Sequence, residues 1–205
     1  AATPGAANAN CTSDPYFGKK IAGGYYVSGE ASYIEKIGKH YFLFMSYGGL
    51  ESNGGYQMRI FRSDNPEGPY TDCYGTSAIF KSYLLNYGAN GRDNRGVLLF
   101  GGYQWDTMPM AEIAQGHNSA LTDRQGRSFV VYHTRFNNGT EGHQVRIHQL
   151  FLNEDGWLMA APFEFDGETA TNDNIASKAS IADSDIPGNY QIIRHQYNQD
   201  TAAKK

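Results

Sequence analysis

The stretch GEASYIEKIGKHYFLFMSYGG, residues 29–49, returns in altered form as GHNSALTDRQGRSFVVYHTRF, residues 116–136. Each copy is followed by a second matching stretch, GYQMRIFRS at residues 55–63 and GHQVRIHQLFL at residues 142–152. In this alignment, matching residues lie 87 positions apart. The chain therefore contains two copies of one structural unit.

Both copies predict the same succession of β-strands. Four runs of β-forming or alternating residues, bounded by glycine-containing turns, indicate strands at residues 41–47, 57–62, 129–133 and 144–148. A short strand opens each unit, and a further strand is predicted to close it, at residues 77–80 in the first copy and 157–165 in the second. Four antiparallel strands in sequence order are the content of one β-propeller blade. Two stacked sheets of a sandwich are the alternative.

The predicted fold class is all-β, with about two blades of a β-propeller in residues 1–167. The 87-residue period exceeds the roughly 40–50 residues of common propeller repeats. The excess falls in residues 81–115, which hold another strand candidate at residues 96–103 and a loop after it. Residues 168–185, rich in Ala, Ser, Asp, Asn and Thr, are interpreted as a linker. Residues 186–205 then look like the first strand of an appended, truncated β domain.

Composition excludes several classes of partner. The net charge is −4 and no run of Lys or Arg stands out, which argues against nucleic acid and against an anionic membrane surface. No apolar run approaches the ~20 residues of a membrane span. The small, polar N-terminus is interpreted as an end exposed by cleavage or as a loop cut inside a longer chain. Cys11 and Cys73 allow one disulfide or two free thiols, and both readings stay open.

Two polar residues occupy matching places in the two copies. Glu30 aligns with His117 at the start of the strand that would line the channel of a propeller. A carboxylic acid and an imidazole in one polar funnel form a candidate site. A solvated strand-end carboxylate and a hydrogen-bonded core histidine are the structural alternatives.

Several motifs together resemble glycoside hydrolase family 43, and within it the endo-α-1,5-L-arabinanases. They lie in family order at residues 14–24, 30–32, 46–50, 116–120, 132–136, 145–149, 153–157 and 161–162. The resemblance runs from about residue 14 to residue 167. It implies a five-bladed propeller that hydrolyses α-1,5-linked arabinan, or arabino-oligosaccharides, with inversion of configuration. It also implies a secreted or periplasmic enzyme.

The resemblance assigns roles to individual residues. Glu30 matches the family's general acid, although Ala31 and Ser32 follow it where the family has Gly-Pro. His117 matches the histidine that holds a calcium-like ion at the propeller axis. A lone imidazole is an unusual ligand for calcium, which prefers oxygen, so this expectation rests on the resemblance. Asn118 and Arg135 are expected to bind substrate beside the axis.

Aromatic side chains on candidate rim loops are expected to pack or to stack on sugars: Tyr25, Tyr26, Tyr47 and Trp105. Of these, Tyr47 is the predicted substrate-binding residue. No segment matches the family's two catalytic Asp motifs, the base and the Asp that tunes the acid. The expectation is therefore a companion N-terminal chain of the same enzyme that supplies both.

Two other functions remain open. One is a β-xylosidase or α-L-arabinofuranosidase of the same family, and the other is a non-catalytic glycan-binding propeller. Because two blades leave sheet faces without neighbours, the sequence also predicts bare apolar side chains at Phe42, Phe44, Val131 and Ile147.

Overall fold

The computed structural model describes residues 18–51, 53–88, 90, 95–167 and 182–190, and the backbone of two short strands beyond them. Within that part of the chain the regular structure is β, apart from a 3-10 turn at Asp183–Asp185 and 3-10 residues at Gly88 and Asn90. The strands are β1 Glu30–Ile37, β2 His40–Tyr47, β3 Gln57–Ser63, β4 Val97–Leu98, β5 Glu112–Thr122, β6 Ser128–Phe136, β7 Gln144–Leu152, β8 Leu158–Ala160, β9 Ile193–Arg194 and β10 Ala203–Lys204.

The first eight strands form two antiparallel sheets, each with its four strands in sequence order. This is the topology of two propeller blades, so the predicted fold class is confirmed. Among the described residues, β9 and β10 pair with each other. The linker predicted at residues 168–185 lies mostly outside the described residues.

The predicted closing strand of the first unit, residues 77–80, is wrong. The fourth strand is β4, which pairs with β3 through Arg59 opposite Leu98. Residues 77–80 pair instead with the segment before β1. The N–H of Gly23 donates to the carbonyl of Ala78 at 3.0 Å, and its carbonyl accepts from the N–H of Phe80 at 2.9 Å. The chain therefore makes a long excursion between β3 and β4, which accounts for the unusual length of the repeat.

The sheet register corrects the alignment of the two copies by one residue. In the first sheet Glu30 lies opposite Ser46. In the second sheet Gly116, not His117, lies opposite the residue that corresponds to Ser46. The turn between the first two strands is one residue longer in the second unit, which an ungapped alignment misses. The structural counterpart of His117 is Ala31, and both have a positive φ, 49° and 52°.

The main hydrophobic core lies between the two sheets. It joins Phe42, Phe44 and Ile60 of the first sheet to Val130 and Tyr132 of the second, and all of them are buried. The prediction that Phe42 and Phe44 lie on a bare face is therefore wrong. Side chains alternate along a strand, and those of these two residues point toward the second sheet.

The opposite face of the first sheet is covered by the chain itself. Leu43, Met45 and Phe61 form a second core there, against which Ile21 and Val27 from the segment before β1 pack. Phe80, from the long excursion between β3 and β4, completes this core and is buried. Both faces of the first sheet are thus packed.

The second sheet has one packed face and one open face. The outer face, formed by Leu121, Val131, Val145 and Ile147, has Leu121 and Val145 exposed to 47% and 63%. Val131 and Ile147 are half-buried, so for these two the predicted bare face is partly present. In the described part of the chain, no helix is long and apolar enough to cross a membrane.

Candidate active site

The site lies where the first strands of the two sheets approach each other. Glu30 opens β1, and its Oε1 accepts a hydrogen bond of 2.6 Å from the hydroxyl of Tyr56. The Nδ1 of His117, from β5, lies 3.7 Å from the same oxygen. The side chains of Glu30 and His117 are 54% and 61% exposed, so both are accessible from solvent.

A glycine allows this close approach. A Cβ at Gly116 would lie 2.5 Å from the Tyr56 ring and 2.8 Å from the Ser46 hydroxyl oxygen. With no side chain there, β5 sits against the first sheet, and the backbone N–H of His117 donates to Ser46 Oγ at 2.8 Å. The register is irregular on both sides of Gly116, as in a β-bulge, which re-aims the following side chain. The bulge therefore brings His117 beside Glu30, although the two positions are not equivalent.

Tyr56 connects the two sheets. Its ring is buried and stacks on His133 with centroids 5.5 Å apart and an interplanar angle of 18°. Burial, followed by the hydrogen bond to Glu30, raises the pKa of Tyr56 well above its usual value. The phenol is therefore protonated at neutral pH and acts as a hydrogen-bond donor to the carboxylate.

Three imidazoles line one side of the site. The ring of His133 lies 6.2 Å from that of His117 and 5.0 Å from that of His143, centroid to centroid. Burial, together with the neighbouring His143, His117 and Arg135, lowers the pKa of His133 to about 4. His133 is therefore neutral at neutral pH. Its Nδ1 is buried without a hydrogen-bond partner.

A calcium ion would find few protein ligands in this region. Among the described residues there is no group of three or more His, Cys, Asp or Glu side chains arranged to hold a metal. His117 offers one exposed imidazole, and the adjacent Asn118 carries an amide oxygen that is buried without a partner. This donor set fits a largely hydrated ion better than one enclosed by protein oxygens.

The predicted substrate-binding residues are found in three different settings. Asn118 is 7% exposed, and neither polar atom of its amide has a partner. Arg135 is buried and forms an ion pair of 2.8 Å with Glu141, whose backbone carbonyl it also contacts. The prediction that Tyr47 lies on a rim loop is wrong. This ring is 1% exposed and packs edge-on against Phe80 in the core, because it ends the buried strand β2.

The rim aromatics also differ from one another. Tyr25 and Tyr26 occupy a turn before β1 with positive φ, and Tyr26 is 63% exposed. Trp105 lies away from Glu30, at the end of the second sheet where β5 begins. Cys73 is an exposed free thiol, and Cys11 lies outside the described residues.

Sequence reasoning missed Tyr56 and His133. A signal was present, because Tyr56 aligns with His143 in the repeat, immediately before the alternating strand of each copy. Both of these side chains contact His133 in the folded chain.

Comparison with known proteins identifies the class. Residues 12–158 match the family model for glycosyl hydrolases family 43. Since this range covers well over half of the sequence, the chain belongs to glycoside hydrolase family 43.

Two curated relatives make the similarity more specific. The chain is 38% identical over 190 residues to the "Extracellular endo-alpha-(1->5)-L-arabinanase 2" of Bacillus subtilis strain 168, with 87% of this chain and 38% of the relative covered. It is 40% identical over 186 residues to the extracellular endo-α-(1→5)-L-arabinanase of Thermotoga petrophila, and this match covers 87% of this chain and 37% of the relative. The chain thus spans under two fifths of the length of these relatives.

Solved structures agree with the fold. A family 43 protein from Bacillus licheniformis superposes with a TM-score of 0.77 at 35% identity, covering 92% of this chain and 42% of that one. The arabinanases among the structural neighbours are five-bladed propellers, and this chain corresponds to only a part of them.

Proposed function

We propose that this chain is the C-terminal part of the catalytic propeller of a secreted endo-α-1,5-L-arabinanase. The observation that carries the proposal is Glu30, a solvent-accessible carboxyl held by Tyr56 at the meeting of two blades. Its support is the arabinanase activity named for both curated relatives, which are also named extracellular.

Glu30 is the general acid in this proposal. Its protonated carboxyl donates to the glycosidic oxygen of the leaving sugar, while a base on the opposite face of the ring activates water. An inverting enzyme places these two carboxyl groups about 6.5–9.5 Å apart, which leaves room for the water. The hydrogen bond from Tyr56 restricts the rotation of the Glu30 side chain and so orients it toward the bond that breaks.

We place the base, and the Asp that tunes the acid, in an N-terminal part of the enzyme, on a companion chain. The open outer face of the second sheet supports this placement, because a closed propeller packs a neighbouring blade on both faces of every sheet.

A calcium ion at His117 is a further part of the proposal. It is supported by the exposure of the imidazole and by the unpartnered amide oxygen of Asn118. The ion would supply positive charge beside Glu30, which becomes a carboxylate once it has given its proton to the leaving group. The residues of this chain would hold its hydration shell, with His117 as the nitrogen ligand.

The substrate class is tested by product analysis. The enzyme completed by its N-terminal part is incubated with linear α-1,5-arabinan and, separately, with β-1,4-xylan, and the anomers released are followed by proton NMR. We expect internal cleavage of arabinan with the β-anomer appearing first, as inversion of an α-linkage requires. Release of xylose from xylan, or of single arabinose units alone, would replace the endo-arabinanase proposal with one of its alternatives.

A further inference from the structure

A second pocket lies in the part of the second sheet where β5 begins, apart from the pocket that contains His117. It has a volume of about 380 Å³ and lies between residues 103–112 and residues 162–164. Two aromatic rings form its lip: Trp105 and Phe163, with centroids 5.2 Å apart and planes tilted by 36°. Phe163 is 63% exposed, and the indole N–H of Trp105 donates to the carbonyl of Pro162 at 3.1 Å, which fixes the indole against that segment.

The floor of the pocket is polar. Glu112 and Arg146 form an ion pair there of 2.6 Å, with side chains only 5% and 16% exposed. Arg146 also donates to the amide oxygen of Gln144 at 2.9 Å. A carboxylate acceptor beside a guanidinium donor matches the adjacent hydroxyl groups of a sugar, each of which both donates and accepts. Apolar rings above a polar floor suit the two faces of a furanose or pyranose ring.

The charge of the pocket selects among sugars. Its ionisable lining consists of Arg146, Glu112 and Glu164, so it carries one negative charge in excess. Because a uronic acid would bring a further carboxylate against this charge, the pocket favours a neutral sugar.

The position of the pocket relates it to the proposed active site. Glu112 opens β5, and His117 lies five residues further along the same strand. At about 3.3 Å per residue, the two are separated by roughly 15–17 Å. A polysaccharide extending from Glu30 over the end of the second blade spans this distance with a few sugar units.

We propose that this pocket, with Trp105 and Phe163 as its stacking platform, is an accessory subsite that binds a neutral arabinofuranosyl unit of the polymer, remote from the bond that breaks. The proposal rests on the proposed function, since it concerns the same substrate. It adds a site that neither Glu30 nor His117 forms part of.

The test is a binding titration of the completed enzyme carrying Glu30→Gln, which prevents turnover. Calorimetry measures affinity for a linear arabino-hexaose, for arabino-biose and for an oligogalacturonate. Trp105→Ala and, separately, Phe163→Ala should weaken hexaose binding about tenfold, the effect of losing one aromatic stacking contact, and leave biose binding unchanged. Oligogalacturonate should not bind. Because Phe163 is exposed, its substitution is not expected to affect folding.

Trp157→Phe is the matched control. Trp157 packs on Phe42 and under Arg62, away from the pocket, so hexaose affinity should not change. Parent-like hexaose affinity in both pocket variants overturns the inference. A second result would also overturn it. If Trp105→Ala weakens hexaose binding only in an enzyme from which residues 186–205 have been deleted, the pocket of the intact enzyme is filled by its own C-terminal segment. Failure of the unsubstituted enzyme to cleave arabinan would instead refute the proposed function, and that result is read separately from these affinities.

Discussion

Glu30 is held by the phenol of Tyr56, which lies immediately before β3 of the first sheet and stacks on a ring of the second sheet. The hydroxyl of Tyr56 donates to the carboxylate at 2.6 Å, and its ring lies against His133. The position of the proposed acid is thus determined by the packing of two blades together. Neither the strand β1 nor the sequence motif around Glu30 would fix it alone.

Tyr56→Phe should separate this positioning role from packing. The variant keeps the ring and its stack on His133 but removes the donor to Glu30. We expect kcat on linear arabinan to fall about tenfold, equivalent to ~1.4 kcal/mol, with little change in KM. Tyr33→Phe, a change of the same kind on β1, is the control and should behave as the parent. A parent-like kcat for Tyr56→Phe would show that the hydrogen bond does not orient the acid.

His133 should make the fold sensitive to acid. Its pKa in the folded state is about 4, below the usual value of 6.5. This histidine therefore binds a proton more readily in the unfolded chain than in the folded one. The free energy of unfolding should decrease as pH falls from about 6.5 toward 4, and below pH 4 His133 should cause no further decrease. Denaturant unfolding of the completed enzyme across this range, compared with His133→Gln, measures the effect. Identical pH dependence in the two proteins would contradict it.

At the scale of the strand, the sequence predicted the positions of the long strands better than it predicted their pairing and register. The alternating stretches at β3 and β7 and the aromatic stretches at β2 and β6 have strong periodicity, and the structure confirms them. The strand candidate at residues 96–103 contains β4, but its place as the fourth strand of the first sheet could not be predicted, because the strand has only two residues and its pairing with β3 is a long-range contact. The one-residue shift between the copies arises from a turn length, which periodicity does not report.

The same distinction applies to the site. The sequence identified Glu30 and His117, and the structure brings them within 3.7 Å. The sequence could not identify Tyr47 as a core residue, because an aromatic residue at the end of a strand can lie either on a rim loop or in the core. Whether it is buried depends on Phe80, which is distant in sequence.

Gly116 should be intolerant of a side chain. In Gly116→Ala the new Cβ would meet the Tyr56 ring at 2.5 Å and force β5 away from the first sheet. We expect a loss of about 1–3 kcal/mol in the free energy of unfolding of the completed enzyme, typical of overpacking. Gly142→Ala is the matched control, because its Cβ would have only Thr140 nearby, at 3.6 Å, and its φ is not positive. Equal stability of the two variants would refute the close-approach argument.

At the scale of the whole molecule, the outer face should be an interface. If this face packs against the N-terminal part of the enzyme, Val145→Lys should weaken that association at least tenfold, since it puts a charge on the apolar contact. Tyr74→Lys is the control, because Tyr74 belongs to the excursion between β3 and β4, not to the second sheet, and is 91% exposed. Sedimentation velocity of mixtures of the two parts gives both affinities. A cooperative, monomeric melt of this chain alone would contradict the proposal that the outer face is an interface with the N-terminal part.

The most direct test of the account concerns the chemistry assigned to Glu30. The initial rate of arabinan cleavage is measured for the completed enzyme, for Glu30→Gln and for Glu35→Gln, a matched change on the same strand. We expect a loss of about 10²–10⁴-fold for Glu30→Gln, because an amide cannot donate the proton, and a parent-like rate for Glu35→Gln. Near-normal turnover by Glu30→Gln would contradict its assignment as the general acid.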